Sequence, residues 1–244
     1  MSRYLPYAII YSSLLVGYGS LSAFSIFLFF GSLKIMSLGL KDSGALSIDA
    51  GLSLLFFIQH SVMVRKWVRK RIMNFIPDEY YNAFYAIASG VVLIVVVILW
   101  QKTSYPIIVA SGIFYWAFRV LFFLSIAGFY WGIRSLGFFD PFGVRRVLDH
   151  LRSRKSKPMP FIVKGAYQWV RHPLYFFMLL MIWSCPELTT DRLLFNILWT
   201  MWIFIGTIFE ERDLIDEFGE KYLVYQSKVP RIIPFKFSHI KNST

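Results

Sequence analysis

The feature that most constrains this chain is a series of long blocks that contain no charged side chain. A membrane hydrocarbon core is crossed by about 20 apolar residues in an α-helix, and a helix satisfies every backbone N–H and C=O group without water. The sequence therefore predicts an all-α integral membrane protein with about five to six transmembrane helices. The blocks lie at 7–30, 50–64, 80–100, 105–132 (interrupted by Arg119), 174–185 and 193–209.

The composition favours a membrane environment over water. Hydrophobic residues make up 57% of the 244 residues and charged residues only 16%, whereas soluble domains carry about a quarter charged residues. The first block is longer than the roughly 7–15 apolar residues of a secretory signal peptide, so it is predicted to be a true span. The single Cys185 cannot form an internal disulfide.

The net charge of +12 is distributed unevenly along the chain. Of the 26 Lys and Arg residues, 21 lie in alternate loops and the C-terminal tail, and only four lie in the intervening loops. The positive-inside rule therefore predicts that both termini and the two long basic loops are cytoplasmic. We assign the basic excess to topology and to anionic lipid headgroups, and nucleic acid is not expected as a partner.

The chain divides into a four-helix transmembrane part, 1–132, and a C-terminal part, 133–244. At the start of the second part, 142–155 is predicted to be a short interfacial helix, because its valines and leucines share one face. Near the C-terminus, 211–228 is predicted to be a cytoplasmic amphipathic helix. It ends before Pro230, which cannot continue a helix.

The apolar blocks of the C-terminal part predict a helical hairpin. As a helix, 173–185 is roughly 18 Å long, which is too short for about 30 Å of hydrocarbon. The next block, 193–209, is near full length and runs back. The hairpin would bring together four polar residues: Arg171, His172, Glu210 and Glu211.

Short motifs stand at the ends of this hairpin. Pro173 begins a helix, where its missing N–H costs nothing, and the free N–H groups of that turn favour anions. On these residues alone, a functional site and a topological anchor with an interfacial ion pair are both open. The set is Arg171-His172-Pro173-x-Tyr175, Glu210-Glu211, Gly219-x-x-Tyr222-x-x-Tyr225 and Val229-Pro230.

In combination, this set resembles the signature of the isoprenylcysteine carboxyl methyltransferase superfamily, over about residues 160–235. The resemblance implies a cytoplasm-facing pocket for the cofactor S-adenosylmethionine. A glutamate suits its ribose hydroxyls or ammonium, His172 suits its carboxylate, and tyrosine rings suit its adenine and sulfonium. Which glutamate fills which role stays open. The implied pocket residues are Lys164, Gly165, Tyr167, Arg171, His172, Pro173, Tyr175, Glu210 and Glu211.

The N-terminal part carries His60 in a Gln-His-Ser motif near the cytoplasmic end of the second predicted span. An ionisable residue inside a membrane is a functional candidate; the alternative is a helix-end histidine bonded to backbone. With the segment 134–143, the motif resembles the NnrU-like branch of the superfamily. Within that branch it is most similar to enzymes that methylate methanethiol to dimethyl sulfide. The segment departs from the pattern at Phe139 and Pro141.

The chemistry implied by this resemblance is methylation of a small thiol. A thiolate is the nucleophile, so His60 is the predicted base, Asp140 its orienting partner, and Arg119 a group that stabilises the anion. Arg119 has two alternative roles, as an ion-pair partner of Asp140 or as an arginine that snorkels to the interface. The predicted partners are the thiol and the lipid bilayer. No metal and no obligate protein partner are expected.

Two other hypotheses stay open at this point. In one, the same cofactor serves a different acceptor, an isoprenylcysteine carboxylate or a phospholipid amine. A carboxylate is already ionised and needs no base, so His60 would then be dispensable. In the other, the chain is a non-enzymatic NnrU-like membrane protein of nitrogen-oxide or haem metabolism, with His60 and His172 as axial haem ligands.

Overall fold

The computed structural model describes residues 4–137, 139–154 and 160–235, which are mainly helical. Within them, five helices are long and apolar enough to cross a membrane: Leu5–Phe30, Asp42–Val64, Asp78–Leu99, Gly112–Leu136 and Thr190–Phe218. The predicted class, an all-α integral membrane protein, is confirmed. The elements are α1 (Leu5–Phe30), α2 (Asp42–Val64), α3 (Lys66–Ile72), α4 (Asp78–Leu99), β1 (Pro106–Val109), α5 (Gly112–Leu136), α6 (Val144–Leu151), α7 (Ala166–Trp169), α8 (Pro173–Trp183), β2 (Glu187–Thr189), α9 (Thr190–Phe218) and α10 (Glu220–Lys228).

Helix α5 begins later than the apolar block that predicts it. The first residues of that block form β1, which pairs antiparallel with β2. Pro106 has no N–H to give to a helix, and the helix starts only at Gly112, whose φ is 54°. Only 11% of the apolar window of α5 is buried in the protein, so most of its surface faces lipid.

Helix α9 is longer than the predicted return leg of the hairpin. It does not end near residue 209 but continues to Phe218, so that the whole helix, Thr190–Phe218, has 29 residues. It ends where Gly219 adopts a φ of 58°, and α10 follows directly. The separate helix predicted over 211–228 is therefore wrong in its first half. The change from apolar to charged side chains alters what the helix faces, but it does not interrupt backbone hydrogen bonding.

The predicted interfacial helix is present as α6, which packs against α1 and α4. It was expected over 142–155 and spans Val144–Leu151; position 155 lies outside the described residues. Val147 is fully buried and packs with apolar residues of the two long helices. One face of α6 is thus held by the bundle, as the distribution of its valines and leucines predicts.

The short hairpin leg α8 is held mainly by α5. It has 11 residues, Pro173–Trp183, and ends two residues before the predicted end at 185; it is too short to span the membrane, as the sequence predicts. Two glycines of α5 permit the contact, because an added Cβ would lie 2.1 Å from the Phe177 ring at Gly128 and 2.7 Å from Leu174 at Gly132. The other long helices form a second group in which α2 lies against both α4 and α9.

The bundle has two distinct ends. The sheet end carries β1 and β2, and the motif end carries Arg171 and His172, which precede α8. At the sheet end, Arg192 is only 2% exposed and donates to the carbonyl oxygens of Phe27 (3.2 Å) and Leu28 (2.7 Å) at the end of α1. Cations are stabilising at helix C-termini. This anchor sets the start of α9 and so the level at which α9 reaches the motif end.

Candidate active site

The centre of the motif end is the carboxylate of Glu211, whose side chain is 3% exposed. Its Oε1 accepts a hydrogen bond from Arg171 Nε (2.7 Å) and lies 3.2 Å from His172 Nε2. Its Oε2 accepts from Gln226 Nε2 (3.1 Å) and Arg231 Nε (3.1 Å). The juxtaposition that the hairpin predicts is present. Because four groups already surround this carboxylate, it holds the protein together rather than offering an acceptor to a ligand.

The end of α10 and the segment after it complete this network. Arg171 Nη1 donates to the carbonyl oxygens of Gln226 (3.0 Å) and Val229 (2.6 Å). The backbone N–H of Arg171 donates to Pro230 O at 2.9 Å, and that of His172 donates to Arg231 O at 3.0 Å. Sequence reasoning missed Gln226 and Arg231, although a basic residue directly after Val229-Pro230 is a visible signal.

Glu210 points away from this network, since neighbours on a helix are about 100° apart. Its Oε2 is buried and has no hydrogen-bond partner among the described residues. His172 Nδ1 lies 3.7 Å from this oxygen, Tyr175 hydrogen-bonds with the carboxylate, and Tyr167 interacts with it electrostatically. Burial, and then the negative charge of Glu210, raise the pKa of the Tyr167 phenol. Tyr167 is therefore a neutral phenol beside an acid with free acceptor capacity.

The turn before α7 also reaches the motif end. Gly165 has a φ of 53°, and a Cβ there would lie 2.4 Å from Ser135 Oγ, so only glycine fits. The next residue, Ala166, donates its N–H to that same hydroxyl at 3.2 Å. The carbonyl oxygen of Tyr167 accepts from Tyr225 Oη at 2.5 Å. The neighbouring Lys164 is exposed, so the pocket predicted for this turn has a solvent-facing side.

His60 lies in α2 among aromatic side chains. Its ring stacks on Phe56 (centroids 5.3 Å apart) and meets Trp202 edge to face at 5.4 Å. Tyr85 Oη lies 3.0 Å from His60 Nδ1 and 2.9 Å from Nε2. The two nitrogen positions diverge in the ring plane, so one hydroxyl cannot be in line with both. The Tyr85 hydroxyl therefore bonds one nitrogen of His60 at a time and leaves the other without this hydrogen bond.

Tyr85 connects His60 with the motif end. Tyr85 and Tyr175 are close enough to interact electrostatically, and Tyr175 in turn interacts with Glu210. The ring of Tyr175 also packs against His172, with centroids 5.6 Å apart. Two tyrosines therefore lie near one another between the histidine of the N-terminal part and Glu210 of the motif set.

Asp140 does not have the relay role expected of it. Its Oδ1 accepts the backbone N–H of Val144 at 3.0 Å, and its Oδ2 accepts that of Arg145 at 2.9 Å. A side chain that accepts the first N–H groups of a helix is an N-terminal cap. Both oxygens of Asp140 are engaged at the start of α6, so the predicted orienting partner of His60 is corrected to a helix cap.

Arg119 is corrected for a different reason, its position in the bundle. It donates to the carbonyl oxygen of Phe29, and its guanidinium lies over the rings of Phe29 (3.9 Å) and Tyr115 (5.0 Å). These contacts are at the sheet end. Arg119 is 17 residues before the end of α5, roughly 25 Å along the helix, so it is far from His60 and from Asp140. Cation–π contact and helix capping account for this arginine.

Comparisons with known proteins show relatives in sequence but none in solved structures. No family model matches the chain, and no solved structure matches it. The chain is 38% identical to a methanethiol S-methyltransferase of Pseudomonas sp. (strain GM41(2012)) over 195 residues, 78% of this chain and 74% of that protein. It is 37% identical to the methanethiol S-methyltransferase of Pseudomonas deceptionensis over 196 residues, 78% of this chain and 73% of that protein.

A more distant relative matches a smaller share. The protein-S-isoprenylcysteine O-methyltransferase of Xenopus laevis is 36% identical over 93 residues, 35% of this chain and 31% of that protein. By contrast, the 195 matched residues of the first relative exceed the length of either part of the chain. That similarity therefore includes both the part with His60 and the part with Glu210.

Proposed function

Because the chain belongs to the methanethiol S-methyltransferase family, we propose that it is an S-adenosylmethionine-dependent membrane methyltransferase that converts methanethiol into dimethyl sulfide. At the level of individual residues, the proposal rests on the buried Oε2 of Glu210, which accepts no hydrogen bond. It lies at the end of a line of groups that begins at His60 and runs through Tyr85 and Tyr175. Methyl transfer requires a donor site and an acceptor site that lie next to each other, and this line of groups connects the two.

The relatives favour a thiol over the other acceptors. The isoprenylcysteine methyltransferase matches 35% of the chain, against 78% for the methanethiol enzymes. Membership of an enzyme family also removes the support for a non-enzymatic membrane protein with His60 and His172 as haem ligands. An isoprenylcysteine carboxylate or a phospholipid amine remains the alternative acceptor for the experiment.

We assign the donor site to Glu210 and its neighbours. S-adenosylmethionine, when bound, supplies a methyl group on a positively charged sulfur. Glu210 is suited to accept from its hydroxyl or ammonium groups, because a buried acceptor without a partner costs free energy until a donor reaches it. The rings of Tyr167 and Tyr175 line the same place. Glu211 is a positioning residue in this proposal, since it orients His172 and keeps Arg171 neutralised.

We assign the acceptor site to His60. The imidazole nitrogen that is not bonded to Tyr85 takes the proton of the thiol, so that the sulfur's electron pair can form the new S–C bond. The bond between the methyl carbon and the sulfonium sulfur of the donor breaks at the same time, and its electron pair stays with the donor, which leaves as the demethylated product. The surrounding rings of Phe56 and Trp202 suit a small apolar thiol and exclude water. Water exclusion strengthens the electrostatic interactions within such a site.

Two measurements on the purified full chain in lipid nanodiscs test the proposal. We expect calorimetry to show binding of S-adenosylmethionine and of its demethylated product, and gas chromatography to show dimethyl sulfide from methanethiol. Isoprenylcysteine and phospholipid amines serve as the other acceptors. Donor binding without turnover of any thiol would reject the thiol, and absence of donor binding would reject the methyltransferase assignment.

The substitution Glu210→Gln is expected to weaken donor binding by about 10-fold or more, because a hydrogen bond to a charged group contributes about 1.5–3 kcal/mol. The unfolding temperature should stay close to that of the wild type, since Oε2 accepts no hydrogen bond and its contact with His172 Nδ1 is long, at 3.7 Å. The matched control is Glu187→Gln at the sheet end, where the glutamate pairs with Lys102. Equal donor affinity in both variants would contradict the role of Glu210.

We also propose that the motif end faces the cytoplasm, because the basic loops lie at that end. Two exposed positions, Ser104 at the sheet end and Lys164 at the motif end, allow a test in a Cys185→Ser background. A membrane-impermeant maleimide should label Ser104→Cys in intact cells, and Lys164→Cys only after permeabilisation. The opposite labelling pattern would invert the topology.

A further inference from the structure

Four aromatic rings form a wall between α2 and α9, which we call the aromatic wall: Phe56, Phe57, Trp199 and Trp202. Two pairs are stacked across the helices, Phe56 on Trp199 (centroids 5.0 Å apart, 14° between planes) and Phe57 on Trp202 (4.7 Å, 10°). The remaining contacts are edge to face, including Trp199 on Trp202 at 5.7 Å. Each ring is thus held by the others in the geometries that aromatic pairs prefer.

Hydrogen bonds fix the two tryptophans of the wall. Trp202 Nε1 donates to Ser61 Oγ at 3.1 Å, and Trp199 Nε1 donates to Ser53 Oγ at 3.3 Å. Both serines lie on α2, so each indole is attached to the opposite helix at its polar edge and packed along its apolar faces. An indole held in this way does not yield to a larger neighbour without losing both kinds of contact.

His60 stands next to this wall. Phe56 covers one face of the imidazole, and Trp202 meets it edge to face at 5.4 Å. The Tyr85 hydroxyl occupies a further side. His60 is therefore in contact with aromatic residues on three sides.

We propose that Trp202 sets the upper size limit of the thiol that His60 accepts, an inference that rests on the proposed function. Three rings touch the imidazole: Phe56 is its stacking partner and Tyr85 is its hydrogen-bond partner, so Trp202 is the one whose removal opens space without removing either of these contacts. In an apolar pocket, one extra methylene group changes the specificity by about 10–200-fold. A wall at this distance accounts for selection of a one-carbon thiol by shape.

The experiment compares kcat/KM for methanethiol, ethanethiol, propanethiol and butanethiol in the wild type and in Trp202→Ala. The expected result is a ratio of butanethiol to methanethiol activity that rises about 10-fold or more. A matched control is Trp183→Ala, which also removes an indole that donates to a hydroxyl across two helices, to Thr200 Oγ1 at 3.0 Å. Trp183 lies near the other end of the hairpin, so the ratio of butanethiol to methanethiol activity in Trp183→Ala should equal that of the wild type.

If Trp202→Ala does not fold, a second variant tests the same role of the indole. Ser61→Ala removes only the hydrogen bond to the indole, so the ratio should rise in the same direction by a smaller factor. An unchanged ratio in every variant that retains methanethiol activity would overturn the role of Trp202 and leave the proposed function standing. A wild type that methylates no thiol would overturn the proposed function, and the size limit with it.

Discussion

The substitution Glu211→Ala is expected to destabilise the protein by about 3–5 kcal/mol, the range for a buried ion pair that loses one partner. Glu211 neutralises Arg171, whose side chain is only 9% exposed. Without the carboxylate, a buried guanidinium is left uncompensated, and His172, Gln226 and Arg231 each lose an acceptor. The effect should appear as a large fall in the unfolding temperature of the purified protein.

The neighbouring residue gives a sharp control for this prediction. Glu210→Ala removes the same side chain one position earlier in the same helix, but that carboxylate has a free oxygen and a half-exposed surface. We expect its unfolding temperature to remain near the wild-type value while donor binding falls. If both variants unfold at the same temperature, the assignment of Glu211 to the fold and Glu210 to the ligand is wrong.

The substitution His60→Ala is expected to lower kcat for methanethiol by about 10²–10⁴-fold, the usual contribution of a general base. Donor binding should be unchanged, because His60 belongs to the acceptor side and contacts Tyr85 rather than Glu210. Kinetics of dimethyl sulfide formation give the first quantity, and calorimetry with S-adenosylmethionine gives the second.

A second methyl acceptor, hydrosulfide, distinguishes two roles of His60: removal of a proton from the thiol, and shaping of the pocket alone. Hydrosulfide is smaller than methanethiol and far more ionised at neutral pH, so it depends less on proton removal. We expect the loss caused by His60→Ala to be much smaller for hydrosulfide than for methanethiol. An equal loss with both acceptors would show that His60 shapes the site without taking a proton.

The membrane class and the hairpin were predictable because the physical constraint acts on local sequence. Hydrocarbon requires long uncharged helices, and uncharged blocks are visible without tertiary information. The short leg α8 follows from its length in the same way. The errors lie where no such constraint operates. Helix α9 passes through residues 210 and 211 without a break, because a helix ends where its backbone changes conformation, here at Gly219.

Individual roles depended on contacts between distant parts of the chain. Asp140 looked like a relay residue, yet it caps α6 through its own neighbours. Arg119 looked like an anion-binding residue, yet it lies at the sheet end and contacts Phe29, which is 90 positions earlier. The type of a residue and its motif indicate which chemistry its side chain can perform, but they do not indicate at which end of the helix bundle that side chain lies.

The motif at the ends of the hairpin also shows which features the sequence determines and which depend on the tertiary structure. The sequence by itself determined that Glu210 and Glu211 return to Arg171 and His172, because the bilayer sets the length of the two legs. Only the tertiary structure decided between the two glutamates. A rotation of about 100° per residue turns Glu211 into the arginine network and leaves Glu210 with an oxygen that accepts no hydrogen bond. Gln226 at the end of α10 and Arg231 after it complete that network, and no local pattern connects them to the two glutamates.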